Sequence, residues 1–251
     1  MRIKKDLDVP QINRPFRIRI DTSACTSLTE GLENFGQDHG RDSWRFCSQQ
    51  FESGKIYGLV SEYQQGCMYL SYLLGGRIEF GDLKIYLNDR EICRQELLKL
   101  GWNLEPLHEA HGKRTVKRSV GEAVKRNGQN ISLGSVQDRF CLTPERENMK
   151  LEDLSGERWR ASAAVGYVSG KKIFYAPYEP SEFYYAMCQS ALLKVFRELT
   201  DSGALVLLPV GSDDFMKYIA DECIYIKRDY DIDGLRQRYQ ELFCKGAWIR
   251  T

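Results

Sequence analysis

Histidine is scarce in this sequence: only His39, His108 and His111 occur among its 251 residues. His108 and His111 are spaced i, i+3, but no paired cysteine or third ligand accompanies them, so we expect solvated loop histidines and no metal site. None of the eight cysteines forms a C-x-x-C pair. We therefore interpret the cysteines as reduced thiols, mostly small core residues.

Long apolar runs and an excess charge are also missing. The longest apolar run, from Ala204 across Pro209 to Val210, is far shorter than the roughly 20 residues of a membrane helix. The charged first residues predict no signal peptide, which favours a cytoplasmic protein. Lys and Arg total 36 against 35 Asp and Glu, a net charge of +1. This balance argues against a nucleic-acid partner.

Apolar periodicity predicts alternating strands and helices. Residues 16–20 alternate as in a strand, and residues 55–60 form a short apolar strand. A polar loop and an amphipathic helix follow it, and this helix stops at Gly75-Gly76. Further along, we predict strands at 83–87, 172–176, 204–210 and 223–227, and helices at 157–168, 188–199, 213–222 and 235–243. This order predicts an α/β fold with a mostly parallel sheet covered by helices on both faces.

Four segments resemble the nucleotide-binding domain of ATP-binding cassette (ABC) transporters. They are S-G-K-I-Y-G-L-V-S-E-Y-Q-Q-G-C-M at 53–68, G-R-I-E-F-G-D-L-K-I-Y-L-N-D-R-E-I at 76–92, L-E-D-L-S-G-E-R-W-R-A-S-A-A at 151–164 and A-L-V-L-L-P-V-G-S-D-D-F at 204–215. The resemblance implies a P-loop NTPase-like fold and one domain over residues 1–251. Its core would comprise about 1–94 and 166–251, and an inserted helical subdomain about 95–165.

The phosphate loop departs from the family pattern G-x-x-x-x-G-K-[S/T]. The aligned residues are Ser61, Gly66, Cys67 and Met68. A thiol at position 67 cannot supply the ammonium charge of the lysine, and the Met68 thioether is a poor ligand for Mg²⁺. An ordinary strand-to-helix turn that meets no phosphate remains an alternative interpretation of this loop.

The other catalytic positions are altered as well. The Q-loop glutamine falls on Glu105, and the alternative interpretation of this residue is only a surface or helix-end charge. An ungapped alignment places Pro177 and Tyr178 at the Asp-Glu pair that ends the Walker B strand. One inserted residue would instead place Glu179 on the catalytic glutamate, and in both alignments the metal-binding Asp is missing. The switch histidine aligns with Gly211.

The signature segment is better preserved. Leu154-Ser155-Gly156 matches its start, and one glycine is missing before Glu157. The resemblance implies that such a segment presents a serine, glycine amides and a helix N-terminus to ATP held by the opposite subunit. A helix cap alone is the structural alternative for Ser155 and Gly156.

Together these features predict a degenerate ABC transporter subunit with little or no ATPase activity of its own. It would pair with a competent ABC ATPase subunit, or with itself, and bind a separate transmembrane protein at the inner face of the membrane. ATP and Mg²⁺ would bind only through the partner's site. Two alternatives are a nucleotide-free structural or regulatory module with this fold, and an active ATPase with an unusual site.

Overall fold

A computed structural model describes residues 15–21, 49–62, 66–79, 83–107, 109–127 and 131–226. The predicted helix at 235–243 lies outside these ranges. Nine strands occur within the described residues: β1 Arg17–Asp21, β2 Gln49–Glu52, β3 Ile56–Val60, β4 Lys84–Leu87, β5 Arg90–Ile92, β6 Gly101–Asn103, β7 Ile173–Tyr175, β8 Leu205–Val210 and β9 Glu222–Tyr225. The α-helices are α1 Cys67–Leu74, α2 Arg94–Leu100, α3 Val116–Asn127, α4 Leu133–Arg139, α5 Arg158–Val168, α6 Ser181–Met187 and α7 Leu193–Asp201, with a π-helical turn, Cys188–Leu192, joining the last two.

The strands form two sheets. A four-stranded sheet has the order β2-β1-β4-β5, and its pairs are antiparallel. A five-stranded sheet has the order β6-β7-β8-β3-β9, and all its pairs are parallel. The predicted α/β class with a parallel sheet is therefore confirmed, and an antiparallel sheet is added to it.

Strand β8 organises the two cores because its residues point alternately to opposite faces of the parallel sheet. Leu205 and Leu207 pack in the core formed with α1 and the antiparallel sheet. Val206 and Leu208 pack in the other core, with α3 to α7. Helix α1 lies in the first core between the two sheets, which explains why all eight of its residues are buried.

The helical segments between β6 and β7 cover the second face. Helices α3, α4 and α5 contribute Val120, Val136 and Ala164 to that core. Strand β6 lies within residues 95–165, the range predicted for the helical subdomain, yet it pairs with β7 in the parallel sheet.

One predicted helix is wrong. Residues 213–222 form only a 3-10 turn, Met216–Tyr218, before the chain enters β9. The Asp221 amide donates to the Ile56 carbonyl over 2.8 Å, and the Asp221 carboxylate accepts from the Ile56 amide over 2.8 Å. These bonds draw the chain into pairing with β3 before a helix can continue. Strand β9 consequently begins at Glu222, one residue earlier than predicted. Among the described residues, no helix is both long and apolar enough to cross a bilayer.

Helix α5 packs closely on the sheet at Gly166, and this contact predicts opposite effects of two similar substitutions. A Cβ at position 166 would lie 2.6 Å from the Trp102 ring and 2.7 Å from Phe174, whereas a Cβ at Gly121 in α3 meets no atom within 4 Å. We expect Gly166→Ala to lower the free energy of unfolding by about 1–3 kcal/mol through overpacking. Gly121→Ala should raise it by about 0.5–1 kcal/mol through helix propensity. Urea denaturation measures both, and a stabilised Gly166→Ala protein would contradict the close packing.

Candidate functional site

The carboxyl ends of the parallel strands meet at one edge of the sheet, where ligands bind in open α/β folds. Ser61 follows β3, and its amide donates to the Val210 carbonyl over 3.0 Å. Gly211 follows β8 directly, and Glu179, after β7, donates its amide to the Pro209 carbonyl over 3.2 Å. The structure thus brings the aligned phosphate-loop, Walker B and switch positions together at this edge.

The turn before α1 is closed by a hydrogen bond to the Ser61 side chain. Gly66 has a φ of 108°, a left-handed conformation that favours glycine, and it forms the N-cap of α1. The Ser61 hydroxyl accepts from the Cys67 amide over 3.3 Å and donates to the Glu62 carbonyl over 3.0 Å. An amide that would point at phosphate in a phosphate loop is therefore occupied by a hydroxyl. Cys67 and Met68 are 1% and 6% exposed, so neither side chain offers a polar group to solvent.

Tyr178 occupies space beside the switch position. A Cβ at Gly211 would lie 2.4 Å from the Tyr178 hydroxyl, closer than any ordinary contact. The phenol therefore fills the volume into which a side chain at position 211 would project. A histidine at the switch position and this tyrosine conformation exclude each other.

A buried phenol lies behind this edge. Tyr184 is fully buried, and its hydroxyl donates to the Pro177 carbonyl over 2.8 Å. Burial raises the pKa of Tyr184 well above its ordinary value, and the nearby charge of Glu179 raises it further. The phenol therefore stays protonated, and its role is to hold the segment after β7 in place.

Glu105 is directed to α5. Its carboxylate accepts from the Arg158 guanidinium over 2.7 Å and 3.0 Å and from the Trp159 indole over 2.9 Å. The side chains of Glu105 and Arg158 are 14% and 28% exposed, so water screens this pair only partly. The ion pair ties the segment after β6 to the start of α5. Glu105 is therefore not a free surface charge, and its contacts at the start of α5 agree with the helix-end alternative.

The signature turn lies at the N-terminal end of α5. Residues Ser155–Glu157 form a 3-10 turn that continues directly into α5. Ser155 and Gly156 are exposed, and a Cβ at position 156 meets no atom within 4 Å. The N-cap positions are Leu154 for the 3-10 turn and Glu157 for α5, so neither Ser155 nor Gly156 is the helix cap of the alternative interpretation. The φ of Ser155 is 50°, which places this residue in the left-handed region.

Glu157 has a different environment from the other two signature residues. It is 4% exposed, and its carboxylate accepts from the Thr143 amide, from the Thr143 hydroxyl over 2.9 Å and from Arg146 over 3.2 Å. This carboxylate anchors the preceding turn. The exposed part of the predicted signature site is therefore Ser155 and Gly156.

Sequence reasoning missed the residues that complete these contacts. The Arg158 partner of Glu105 lies 53 positions further along the chain. Tyr178, after β7, lies beside Gly211, after the neighbouring strand β8. Only the Ser61 contact carries a local signal, because a serine shortly before a helix often accepts an amide hydrogen bond.

The Glu105 ion pair predicts that restoring the family's glutamine lowers stability. Glu105→Gln leaves the Arg158 guanidinium without its charged partner, so we expect a loss of about 1.5–3 kcal/mol of unfolding free energy. Glu79→Gln is a matched control, because Glu79 pairs with Arg94 at the surface with a side chain that is 75% exposed. The control should cost less than about 1 kcal/mol. Equal losses in a denaturant titration would count against the structural role of Glu105.

Contact between Tyr178 and Gly211 predicts a coupled pair of substitutions. Gly211→Ala should cost about 1–2 kcal/mol because its Cβ meets the phenol. In a Tyr178→Ala background the same change should cost almost nothing. A double-mutant cycle of unfolding free energies measures this coupling. Additive costs would show that the two positions do not share this space.

In sequence, the chain matches no protein-family model and no curated protein. Its fold resembles that of CbiO1 from Clostridium perfringens, part of the ABC transporter complex cbiONQ. That match covers 80% of this chain and 84% of that one, with 16% identity and a TM-score of 0.58.

The ADP conformation of MJ1267, an ATP-binding cassette of an ABC transporter, is similar as well. The match covers 84% of this chain and 87% of that one, with 12% identity and a TM-score of 0.59. At these identities the likeness concerns the fold alone. The chain has the α/β fold of ABC ATP-binding cassettes, with a parallel and an antiparallel sheet.

Proposed function

We propose that this chain is a degenerate ABC transporter subunit with little or no ATPase activity of its own. It pairs with a competent ABC ATPase chain and contributes its signature turn to the ATP held by that partner. A separate membrane protein completes the assembly and holds the pair at the inner face of the membrane. The fold shared with CbiO1, which is part of an ABC transporter complex, supports this assignment.

The cassette site comprises the phosphate-loop positions Ser61, Gly66, Cys67 and Met68 and the signature positions Ser155 and Gly156. A contrast between these two groups of residues carries the proposal. At the phosphate-loop end, the Cys67 amide is taken by Ser61, and Cys67 and Met68 offer no charge to a phosphate. At the signature end, Ser155 and Gly156 are exposed and meet no neighbouring group that would block an approaching phosphate. A chain built in this way can serve a partner's ATP while lacking the groups to hydrolyse its own.

The loss of ATP hydrolysis follows from the absence of the charged groups that the reaction needs at the aligned positions. Phosphoryl transfer depends on cations and a positioned carboxylate that stabilise the charge developing on the phosphoryl oxygens. The aligned Walker B positions hold Pro177 and Tyr178, or Tyr178 and Glu179 with one inserted residue, and neither choice supplies a metal-binding Asp. Glu105 is already bound to Arg158 and Trp159. Mg²⁺ and ATP would therefore bind at the partner's phosphate loop.

A nucleotide-free structural module is the second candidate. It is favoured by the Ser61 hydrogen bond, because a phosphate loop closed by its own side chain needs no ligand. The two functions differ in one observable. A subunit that pairs with a competent ATPase chain takes part in ATP binding once that partner is present. A structural module takes no part in it.

The test measures Mg²⁺-dependent ATP hydrolysis by the purified chain and by its complex with a co-purifying ABC ATPase. We expect no turnover by the chain alone. Gly156→Glu places a carboxylate where the partner's phosphate would lie, and charge repulsion should lower turnover of the complex at least tenfold, about 1.4 kcal/mol.

Gly134→Glu is the matched control, since Gly134 in α4 is also exposed and its Cβ also meets no atom within 4 Å. This variant should change turnover less than twofold. Turnover by the isolated chain would instead establish an active ATPase with an unusual site. A complex unaffected by Gly156→Glu, together with no binding of a fluorescent ATP analogue, would favour the structural module.

A further inference from the structure

A cavity of about 330 Å³ lies away from the cassette site, between α3, α5 and the edge strand β6. Trp102 of β6 forms one wall, Ser119 and Arg126 of α3 another, and Lys171 after α5 a third. Its volume lies at the lower end of the range of small-molecule sites, roughly 300–1,000 Å³. The cavity is thus large enough for a small ligand only.

Two residues that line the cavity, Ser119 and His111, each carry a buried polar atom without a partner in the described part of the chain. The Ser119 hydroxyl and the His111 Nε2 atom are buried without a hydrogen bond. Ser119 is only 5% exposed, so a lasting lack of partners costs free energy. The His111 ring lies against the Trp102 ring with centroids 4.4 Å apart, which fixes its position on the wall. Buried polar atoms without partners in a cavity indicate a place for a polar ligand.

The cavity wall is strongly basic. Lys99, Arg114, Arg126 and Lys171 supply four positive charges against one carboxylate, Glu122, which leaves a net charge of +3. Glu122 already accepts from Arg114 over 2.7 Å and from Arg118 over 2.8 Å.

Arg126 and Lys171 contribute to this excess of positive charge without a carboxylate partner of their own among the residues that the structure describes. Arg126 forms no ion pair within the ranges that the structure describes. Lys171 is held by the Leu98 and Lys99 carbonyls over 3.1 Å and 2.8 Å. Burial and the charge of Arg126 lower the pKa of Lys171 to about 8. Burial is the larger cause, and the contribution of Arg126 shows that the two cations lie near each other.

We propose that this cavity binds a small phosphate dianion, either free phosphate or a phosphate monoester. Such a group carries about −1.5 to −2 charges and three strong acceptor oxygens, matching the cations of the wall and the hydroxyl donor of Ser119. The walls enclose the ligand on three sides, which favours a small molecule over a polymer. This inference is independent of the proposed ATP role, because it uses none of the cassette residues.

Isothermal titration calorimetry with glycerol 3-phosphate and with inorganic phosphate tests the site, and glycerol is the neutral control. We expect both phosphates to bind the wild-type chain and glycerol not to bind. Tighter binding of glycerol 3-phosphate would identify a monoester site, and equal affinity would identify a free-phosphate site. Both results support the proposal. If neither phosphate binds at up to 10 mM, roughly the weak limit of specific sites, the proposal is overturned.

Arg126→Gln should weaken phosphate binding about tenfold, because it removes one charge-assisted contact. Lys125→Gln removes the same charge from the neighbouring exposed position, which does not line the cavity, and should change the affinity less than twofold. Equal effects of the two variants would show that phosphate is attracted to the basic surface in general, and would overturn the proposed site.

Ser119→Ala separates a binding role from a structural one. Because the hydroxyl has no partner, its removal should leave the melting temperature of the ligand-free chain unchanged or raised. The same variant should weaken phosphate binding severalfold. A wild-type affinity in Ser119→Ala would overturn the placement of the phosphate at this wall.

Discussion

Burial of the parallel sheet on both faces is the constraint on which the rest of the structure depends. Strand β8 has all six residues buried and lies between β7 and β3, so its backbone can only be satisfied by neighbours in register. That register brings the carboxyl ends of three strands to one edge. It also requires α1 to pack between the two sheets, because one face of β3 and β8 carries apolar side chains that must be buried. The position of the cassette site is thus a result of packing and does not require any catalytic residue.

Much of this architecture could be predicted from the sequence, because long apolar elements carry strong signals. The strands at β3 and β8 and the helices α1 and α5 lie within a few residues of their predicted bounds. Strand β6 has three residues and no such signal, and its partner strand β7 lies 72 positions further along the chain, as in the pair Gly101 and Ile173. The predicted helix at 213–222 failed for a related reason: Asp221 bonds to Ile56 across the sheet, and local propensity contains no information on that bond.

The candidate site was predictable in its location and only partly in its contacts. The resemblance aligned Ser61, Tyr178 and Gly211 with three motifs of the family, and the structure places all three positions at one edge of the sheet. The resemblance gave no sign that each altered position has its own intramolecular neighbour: Ser61 with the Cys67 amide, and Tyr178 with the space at Gly211. These neighbours occupy the room and the donors that the family's side chains would use. A single substitution back to the family's residue would therefore introduce a side chain where the space and the hydrogen-bond donors are already taken.

Helix α5 joins two regions that are otherwise separate. Its eleven residues span about 16 Å, from the exposed signature turn at one end to Val165, on the wall of the basic cavity, near the other. The Glu105 ion pair fixes its first turn, and Gly166 fixes its last turn against the sheet. A helix held at both ends moves as one body. If a ligand in the cavity and a partner at the signature turn influence each other, α5 is the element that connects them, and the influence would be equal in both directions.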